Sequence, residues 1–184
     1  KQHLELARDI ATRFNNLHNS ETLTVPEPYI PEFGARVMSL LEPTKKMSKS
    51  DTNPGNFIGL LEDPKKITKK IKRAVTDSDE AANIYFDIAE KPGVSNLLSL
   101  LSCTTGKTVE QLVPEYEDKM YGHLKKDTAD AVVSMIEPIQ ARFKEIREDQ
   151  TELDRIMRVG AEKASAKAEK TLKSVYDALG FVAD

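Results

Sequence analysis

The sequence contains only one cysteine, Cys103, and three histidines, His3, His18 and His123. A single cysteine excludes an intrachain disulfide bond, and so few scattered ligands exclude the common zinc sites, so we predict no metal site. The 184 residues also include no apolar run of membrane-spanning length and no signal peptide. These absences predict a soluble, cytoplasmic protein without a membrane partner.

Positive charge is not in excess either, because the formal net charge at pH 7 is −3. This value excludes a generally basic nucleic-acid binder, so any contact with RNA must use a local basic surface. The apolar share of 39% is low, and the charged share of 31% is high, for a globular protein. This balance favours a helix-rich protein with a broad polar surface.

An initiator methionine is absent, and the chain begins at Lys1. Apolar residues follow at helical spacing and predict a helix from about residue 4, namely Leu6, Ile10, Phe14 and Leu17. Ordinary chain termini are polar and loosely held. We therefore expect a piece of something longer, and a chain trimmed at a true domain edge is the alternative.

The segments after the first helix carry proline and loop signals. Three prolines in residues 25–31 exclude both a helix and a central strand. The short apolar run 36–41 predicts a buried strand or a tight turn, and the polar run 42–56 predicts a flexible loop at a domain boundary. Asp63-Pro64 then predicts the start of a helix that ends at residues 76–77. Its apolar face is expected to comprise Ile67, Ile71, Ala74 and Val75.

Helical patterns continue to the end of the chain. The predicted helices cover roughly residues 79–90, 95–103, 108–119, 125–148 and 152–179. Pro138 is expected to kink or divide the fourth of these helices. The last helix carries the most regular apolar stripe, which extends from Leu153 to Leu179.

The most specific short motif is Lys46-Met47-Ser48-Lys49-Ser50. Two ammonium groups three residues apart on a flexible loop can close over a polyphosphate, and the serine hydroxyls and loop N–H groups add donors. A solvated linker of lysine and serine is the alternative. This pentapeptide arises by chance on the order of once in several thousand chains of this size, and a capped basic helix follows it, so we favour phosphate binding.

These residues reproduce the KMSKS motif of class I aminoacyl-tRNA synthetases, and the surrounding sequence resembles bacterial tryptophanyl-tRNA synthetases. Tyrosyl-tRNA synthetases share the architecture but usually carry a different version of the lysine loop. The resemblance covers the whole chain. It is most specific in residues 26–31, 34–40, 44–61, 63–77 and 92–98.

The resemblance implies ATP-dependent ligation of tryptophan to its tRNA through tryptophanyl-adenylate. Lys46 and Lys49 would be the catalytic residues, binding the β- and γ-phosphates of an ATP that carries Mg²⁺. The remaining implied ATP contacts are Val37, which meets adenine through its backbone beside Arg36 and Met38, together with Met47, Ser48 and Ser50. Met47 is interpreted as a hydrophobic hinge of the loop. The complete protein would be a homodimer.

The resemblance also implies a division of the chain. Residues 1–45 would be the C-terminal remnant of a Rossmann-like nucleotide-binding domain, and residues 46–56 the phosphate loop. Residues 57–184 would form an all-helical, anticodon-recognition domain whose last helix packs back on the catalytic domain. The fold class is therefore mainly α. Because the family's first half, with its other ATP motif and amino-acid pocket, is not in these 184 residues, we predict that the chain alone is inactive.

Three other interpretations stay open. One is a free-standing helical module that binds tRNA, another is a tyrosine-type ligase, and the third is an ATP-binding scaffold without transfer chemistry. The cations of residues 65–73 are as consistent with a solvated helix face as with an RNA surface. A cluster on the last helices has acidic residues interspersed, which weakens a phosphate-binding surface. Its cations are Arg155, Arg158, Lys163, Lys167 and Lys170.

Overall fold

A computed structural model describes residues 1–31, 34–77 and 83–182, and in these ranges the structure is mainly helical without a β-strand. The predicted mainly α class is therefore confirmed. No helix in these ranges is long and apolar enough to cross a membrane. Two short 3₁₀ helices lie at Pro54–Asn56 and Val113–Tyr116. The α-helices are α1 (Gln2–His18), α2 (Pro64–Arg73), α3 (Pro92–Thr105), α4 (Val109–Leu112), α5 (Tyr121–Glu148) and α6 (Gln150–Leu179).

The chain divides into two compact units, one formed by Lys1–Ile30 with Ile146–Asp184 and the other by Pro31–Glu145. The second unit contains the main apolar core. Burying each leucine, isoleucine or valine side chain of this core contributes roughly 1.5–3 kcal/mol relative to leaving it in water. The core comprises Leu40, Ile67, Ile71, Ala74, Ile84, Val94, Leu97, Leu98, Leu101, Leu112, Tyr116, Leu124, Ala129, Val132 and Ile136.

Helix α2 begins as predicted but ends early. The Asp63 carboxylate accepts the backbone N–H groups of Lys65 and Lys66 at 2.8 and 3.3 Å, and Pro64 occupies the first helical position. The predicted end at residues 76–77 is wrong, because the Val75 N–H leaves the helix and donates to the Leu40 carbonyl at 2.8 Å. Val75 is consequently 44% exposed, so its predicted place on the buried face is also wrong.

The helix predicted over residues 79–90 is wrong for residues 83–90, and residues 78–82 lie outside the described part of the chain. An aspartate offers the backbone other partners there. The Asp87 carboxylate accepts the N–H groups of Ala89 and Glu90 at 2.8 and 2.9 Å. Short polar side chains that bond neighbouring backbone groups in this way favour turns over helices.

The remaining helix predictions are confirmed with shifted bounds. Pro114 falls in the predicted segment 108–119, which folds as α4 followed by a 3₁₀ helix. Helix α5 runs through Pro138 and is not divided there. The apolar stripe of α6 remains largely exposed, and no residue of α6 is buried.

Gly93 of α3 provides a test of close packing in the second unit. A Cβ at this position would lie 2.1 Å from the Val75 carbonyl oxygen, whereas a Cβ at Gly122 of α5 would meet nothing within 4 Å. We expect Gly93→Ala to lower the free energy of unfolding by about 1–3 kcal/mol. Gly122→Ala should leave it unchanged or raise it by up to about 1 kcal/mol. Urea titrations of both variants check this, and equal effects would show that Gly93 is not sterically required.

Candidate functional site

Three of the predicted site residues meet where two short stretches of backbone pair. Met38 and Lys46 form an isolated antiparallel bridge, and the Met47 N–H donates to the Val37 carbonyl at 3.0 Å. The buried strand considered for residues 36–41 is therefore absent, since a single bridge replaces it. This pairing brings Val37, Lys46 and Met47 together.

A proline turn connects the two paired stretches. The Lys45 N–H donates to the Glu42 carbonyl at 2.8 Å, and Pro43 occupies the second position of the turn, as this turn type favours. The Lys45 ammonium forms an ion pair with the Glu42 carboxylate. This ion pair, with the Asn56 amide, holds the pKa of Glu42 below its usual range. Lys45 is therefore already paired, unlike the next lysine along the chain.

The two lysines of the motif point away from the protein. Lys46 and Lys49 are exposed, and neither makes a hydrogen bond or ion pair with any described residue. Met47 between them is half-buried and packs against the core. Its side chain therefore anchors the loop while both ammonium groups remain available to an anion.

Residues 48–51 form a second turn. The Asp51 N–H donates to the Ser48 carbonyl at 3.2 Å, and the hydroxyls of Ser48 and Ser50 lie 3.0 Å apart. Lys49 lies at the tip of this turn. Ser48, Lys49 and Ser50 thus occupy one exposed turn whose hydroxyl and ammonium groups all face solvent.

A buried amide holds the far end of the loop, which sequence reasoning missed. Asn56 is 1% exposed, and its side-chain amide donates to Asp51 at 2.9 Å and to Glu42 at 3.1 Å. The Asn56 amide and the Asn53 backbone N–H lower the pKa of Asp51, so this carboxylate stays ionised. Both carboxylates are thus hydrogen-bonded to Asn56, and neither forms an ion pair with Lys46 or Lys49.

Asn96 of α3 supports the other side of the site and was also missed. Its amide nitrogen donates to the Met38 carbonyl at 2.9 Å, and its oxygen accepts the Met38 N–H at 3.0 Å. Asn96 is 5% exposed, so both bonds lie out of water. The side chain takes the place of a neighbouring strand and fixes the backbone that pairs with Lys46.

We expect Asn96→Asp to loosen this backbone, because a carboxylate cannot donate to the Met38 carbonyl. An unsatisfied buried group costs about 1–3 kcal/mol, so the Met38 amide should exchange with solvent roughly 5–150 times faster. Amide hydrogen exchange measures this, with Asn16→Asp on the exposed face of α1 as the matched control. If the Met38 amide exchanged at the same rate in both variants, Asn96 would not be needed to hold the backbone of the site.

A cavity of about 180 Å³ opens beside the paired stretches. Arg36 and Met38, expected beside adenine, line it together with Pro43, Ile88, Pro92 and Ser99. Val37 is not among the lining residues. In the described part of the chain, no group of three or more His, Cys, Asp or Glu side chains is placed to hold a metal ion.

Comparison with known proteins identifies the family of the chain. The family model of tRNA synthetases class I (W and Y) matches residues 1–137. Tryptophanyl-tRNA synthetase from Mycoplasma pneumoniae is 32% identical with a TM-score of 0.87, over 98% of this chain and 54% of that one. The Campylobacter jejuni enzyme, complexed with ADP and tryptophan, is 29% identical with a TM-score of 0.62 over the same shares. The chain spans about half the length of these relatives, and it belongs to the tryptophan and tyrosine family of class I tRNA synthetases.

Proposed function

We propose that the chain is the second half of a ligase that joins tryptophan to its tRNA, and that it supplies the phosphate loop and a helical tRNA-binding region. The observation that carries the proposal is the exposed Lys46–Ser50 segment, whose two lysines have no partner among the described residues. Tryptophan is favoured over tyrosine because the compared structures are tryptophanyl-tRNA synthetases. The ligation would take place in the cytoplasm, and the complete protein would be a homodimer.

The chemistry needs no protein nucleophile. The tryptophan carboxylate attacks the α-phosphorus of ATP, the bond to the β-phosphate oxygen breaks, and pyrophosphate leaves. Lys46 and Lys49 bind the β- and γ-phosphates and stabilise the charge that grows on this leaving group, with Mg²⁺ arriving on the nucleotide. A ribose hydroxyl at the tRNA 3′ end then attacks the carbonyl carbon of the adenylate, and AMP leaves.

Val37 has a defined role in this proposal. Its carbonyl already accepts the Met47 N–H, and both backbone groups of Met38 are bonded to Asn96. The Val37 N–H makes no hydrogen bond to another described residue, and in this proposal it donates to adenine. Ser48 and Ser50 supply hydroxyl donors to the phosphates from the turn that carries Lys49.

A missing first half is supported by exposed apolar side chains in the first unit. Leu6, Ile10 and Leu17 of α1 are 58%, 57% and 71% exposed, and Met157 of α6 is 64% exposed. Leu6, Ile10 and Leu17 share one face of α1 by their spacing, and an exposed apolar face is usually covered by another part of a protein. We propose that the first half of the ligase covers it and supplies the amino-acid pocket, so that the chain alone is inactive.

The domain proposal follows the same lines. Residues 1–45 would complete a Rossmann-like nucleotide-binding domain, residues 46–56 form the loop, and residues 57–184 the helical domain. Helices α1 and α6 belong to one compact unit, and this supports the packing of the last helix on the nucleotide-binding domain. Rotation of the helical domain would then be coupled to closure of the loop.

Exchange of labelled pyrophosphate into ATP tests the proposal. We expect exchange with tryptophan, and not with tyrosine, by a full-length form in which a first half precedes residue 1, and no exchange by the 184-residue chain alone. Exchange with tyrosine would establish the tyrosine-type ligase instead. A well-folded full-length form that exchanges with neither amino acid would favour the free-standing tRNA-binding module.

A further inference from the structure

Helix α2 carries an unusual concentration of uncompensated positive charge. Six of its ten residues are Lys or Arg. Lys70 is ion-paired with Glu62 at 2.7 Å and also donates to the Phe57 carbonyl. The other five make no ion pair with any described residue and are exposed, namely Lys65, Lys66, Lys69, Lys72 and Arg73.

Part of this charge faces an open cavity of about 520 Å³. Lys66, Lys69 and Arg73 line it together with Leu41 and residues 53–55. Lys70 and Glu62 also border the cavity but neutralise each other. Three cations that form no ion pair with a described residue therefore line this cavity, in a chain whose net charge is negative.

The spacing of these cations suits an extended anion. Lys66, Lys69 and Arg73 follow one face of α2 and span about 10 Å along its axis, at 1.5 Å per residue. A single phosphate group engages only part of this row, whereas successive phosphates of a nucleic-acid strand can follow it. Among the described residues, no aromatic side chain lines the cavity, so the base stacking that is usual in single-strand binding has no platform in this part of the chain.

The cations of α6 form a different surface. Arg155 is paired with Glu152 at 2.6 Å, and Glu162 and Glu169 directly precede Lys163 and Lys170. Interspersed carboxylates weaken the attraction of phosphates. The cations of α2 are therefore expected to attract phosphate groups more strongly than those of α6.

We propose that α2 and residues 53–55 bind the sugar-phosphate backbone of the RNA substrate. Lys66, Lys69 and Arg73 contact successive phosphates, and Leu41 and Pro54 lie against the sugars. Because the contacts are to the backbone, they position the RNA without reading its sequence. The proposal rests on the tRNA ligase function, and it places one RNA contact at Asn53, within the phosphate loop and three residues after Ser50, the last residue of the lysine motif.

The test is binding of tRNA to the 184-residue chain at several salt concentrations. The first variant combines Lys66→Gln, Lys69→Gln and Arg73→Gln, and its matched control combines Lys163→Gln, Lys167→Gln and Lys170→Gln on α6. Glutamine keeps helix propensity, and circular dichroism verifies the folding of both. We expect the α2 variant to lose about 10–100-fold in affinity, and the slope of log K against log salt to become shallower by about 2–3.

The control variant should bind almost as the wild type does, and the α2 variant should lose the same factor for tryptophan tRNA and for an unrelated tRNA. A further variant with Lys66→Arg and Lys69→Arg keeps the charge and should retain binding. Wild-type affinity in the α2 variant, a larger loss in the α6 variant, or no salt-dependent binding by the wild type would overturn the proposal. Pyrophosphate exchange requires no RNA, so a failure of the proposed ligase function would appear in that assay and would be distinguished from a loss of RNA binding.

Discussion

Replacing Lys49 by alanine in the full-length form is expected to slow tryptophan-dependent pyrophosphate exchange by about 100–1,000-fold, equivalent to about 3–4 kcal/mol of lost transition-state stabilisation. Lys49 is exposed at the tip of the turn formed by residues 48–51, and its ammonium group has no partner in the described ranges. The charge that it stabilises develops on the leaving pyrophosphate. Lys46→Ala should have an effect of the same order, because Lys46 is equally exposed on the other side of Met47.

Lys45→Ala is the matched control for this prediction. Lys45 is the immediate neighbour of Lys46, but its ammonium is already paired with Glu42, with both side chains largely exposed. An exposed pair contributes about 0–1 kcal/mol, so exchange should change by less than about fivefold. If Lys45→Ala slowed exchange as much as Lys49→Ala, the effect would come from positive charge in general and not from the motif lysines.

Lys91→Met is expected to lower the free energy of unfolding by about 3–5 kcal/mol, because it would remove the buried ammonium group that pairs with the largely buried Asp77 carboxylate. The Lys91 side chain is 5% exposed, and its ammonium lies 2.9 Å from the Asp77 carboxylate. It also donates to the Tyr121 hydroxyl at 3.1 Å, and that hydroxyl donates to Asp77 at 2.6 Å. Burial and the bond to Asp77 raise the pKa of Tyr121, so the hydroxyl remains a donor at neutral pH.

Lys126→Met is the matched control, because Lys126 forms an ion pair of similar length but at the protein surface. Lys126 lies 2.7 Å from Asp130, one helical turn away, and both side chains are about 60% exposed. This substitution should cost less than about 1 kcal/mol. Guanidinium titrations of the two variants give the comparison. Similar losses of stability would contradict the conclusion that burial makes the Lys91 pair important.

For α2, local sequence signals located the start of the helix better than its end. Asp63 and Pro64 contain all the information needed to begin α2, since the cap is made within three residues. The end of α2 depends on the Val75 N–H bonding to Leu40, which lies 35 residues earlier in the chain. No periodicity in residues 64–77 reveals that partner. The turn after Asp87, in contrast, has a local cause. The Asp87 carboxylate accepts the N–H groups two and three residues later, and these bonds favour a turn over the helix that the apolar spacing predicts.

In the candidate site, too, some residues can be recognised from the local sequence and others only from contacts between distant parts of the chain. The lysine motif is contiguous, so the sequence alone supplied Lys46, Lys49 and the serines of the loop. Asn96 lies 58 residues from Met38, and only the folded chain shows that its amide bonds both backbone groups of that residue. Asn56 was likewise hidden in a segment whose composition indicates only a loop. The motif residues can be recognised in the sequence from their amino-acid types and spacing. The asparagines that support them can be recognised only from their hydrogen bonds in the folded structure.

Attachment of labelled tryptophan to tRNA by the full-length form is the most direct test of the proposed function. The proposal predicts tryptophanyl-tRNA in the presence of ATP, no product with tyrosine, and no product from the 184-residue chain alone. Product with tyrosine instead of tryptophan, or none from a folded full-length form that binds tRNA, would contradict it.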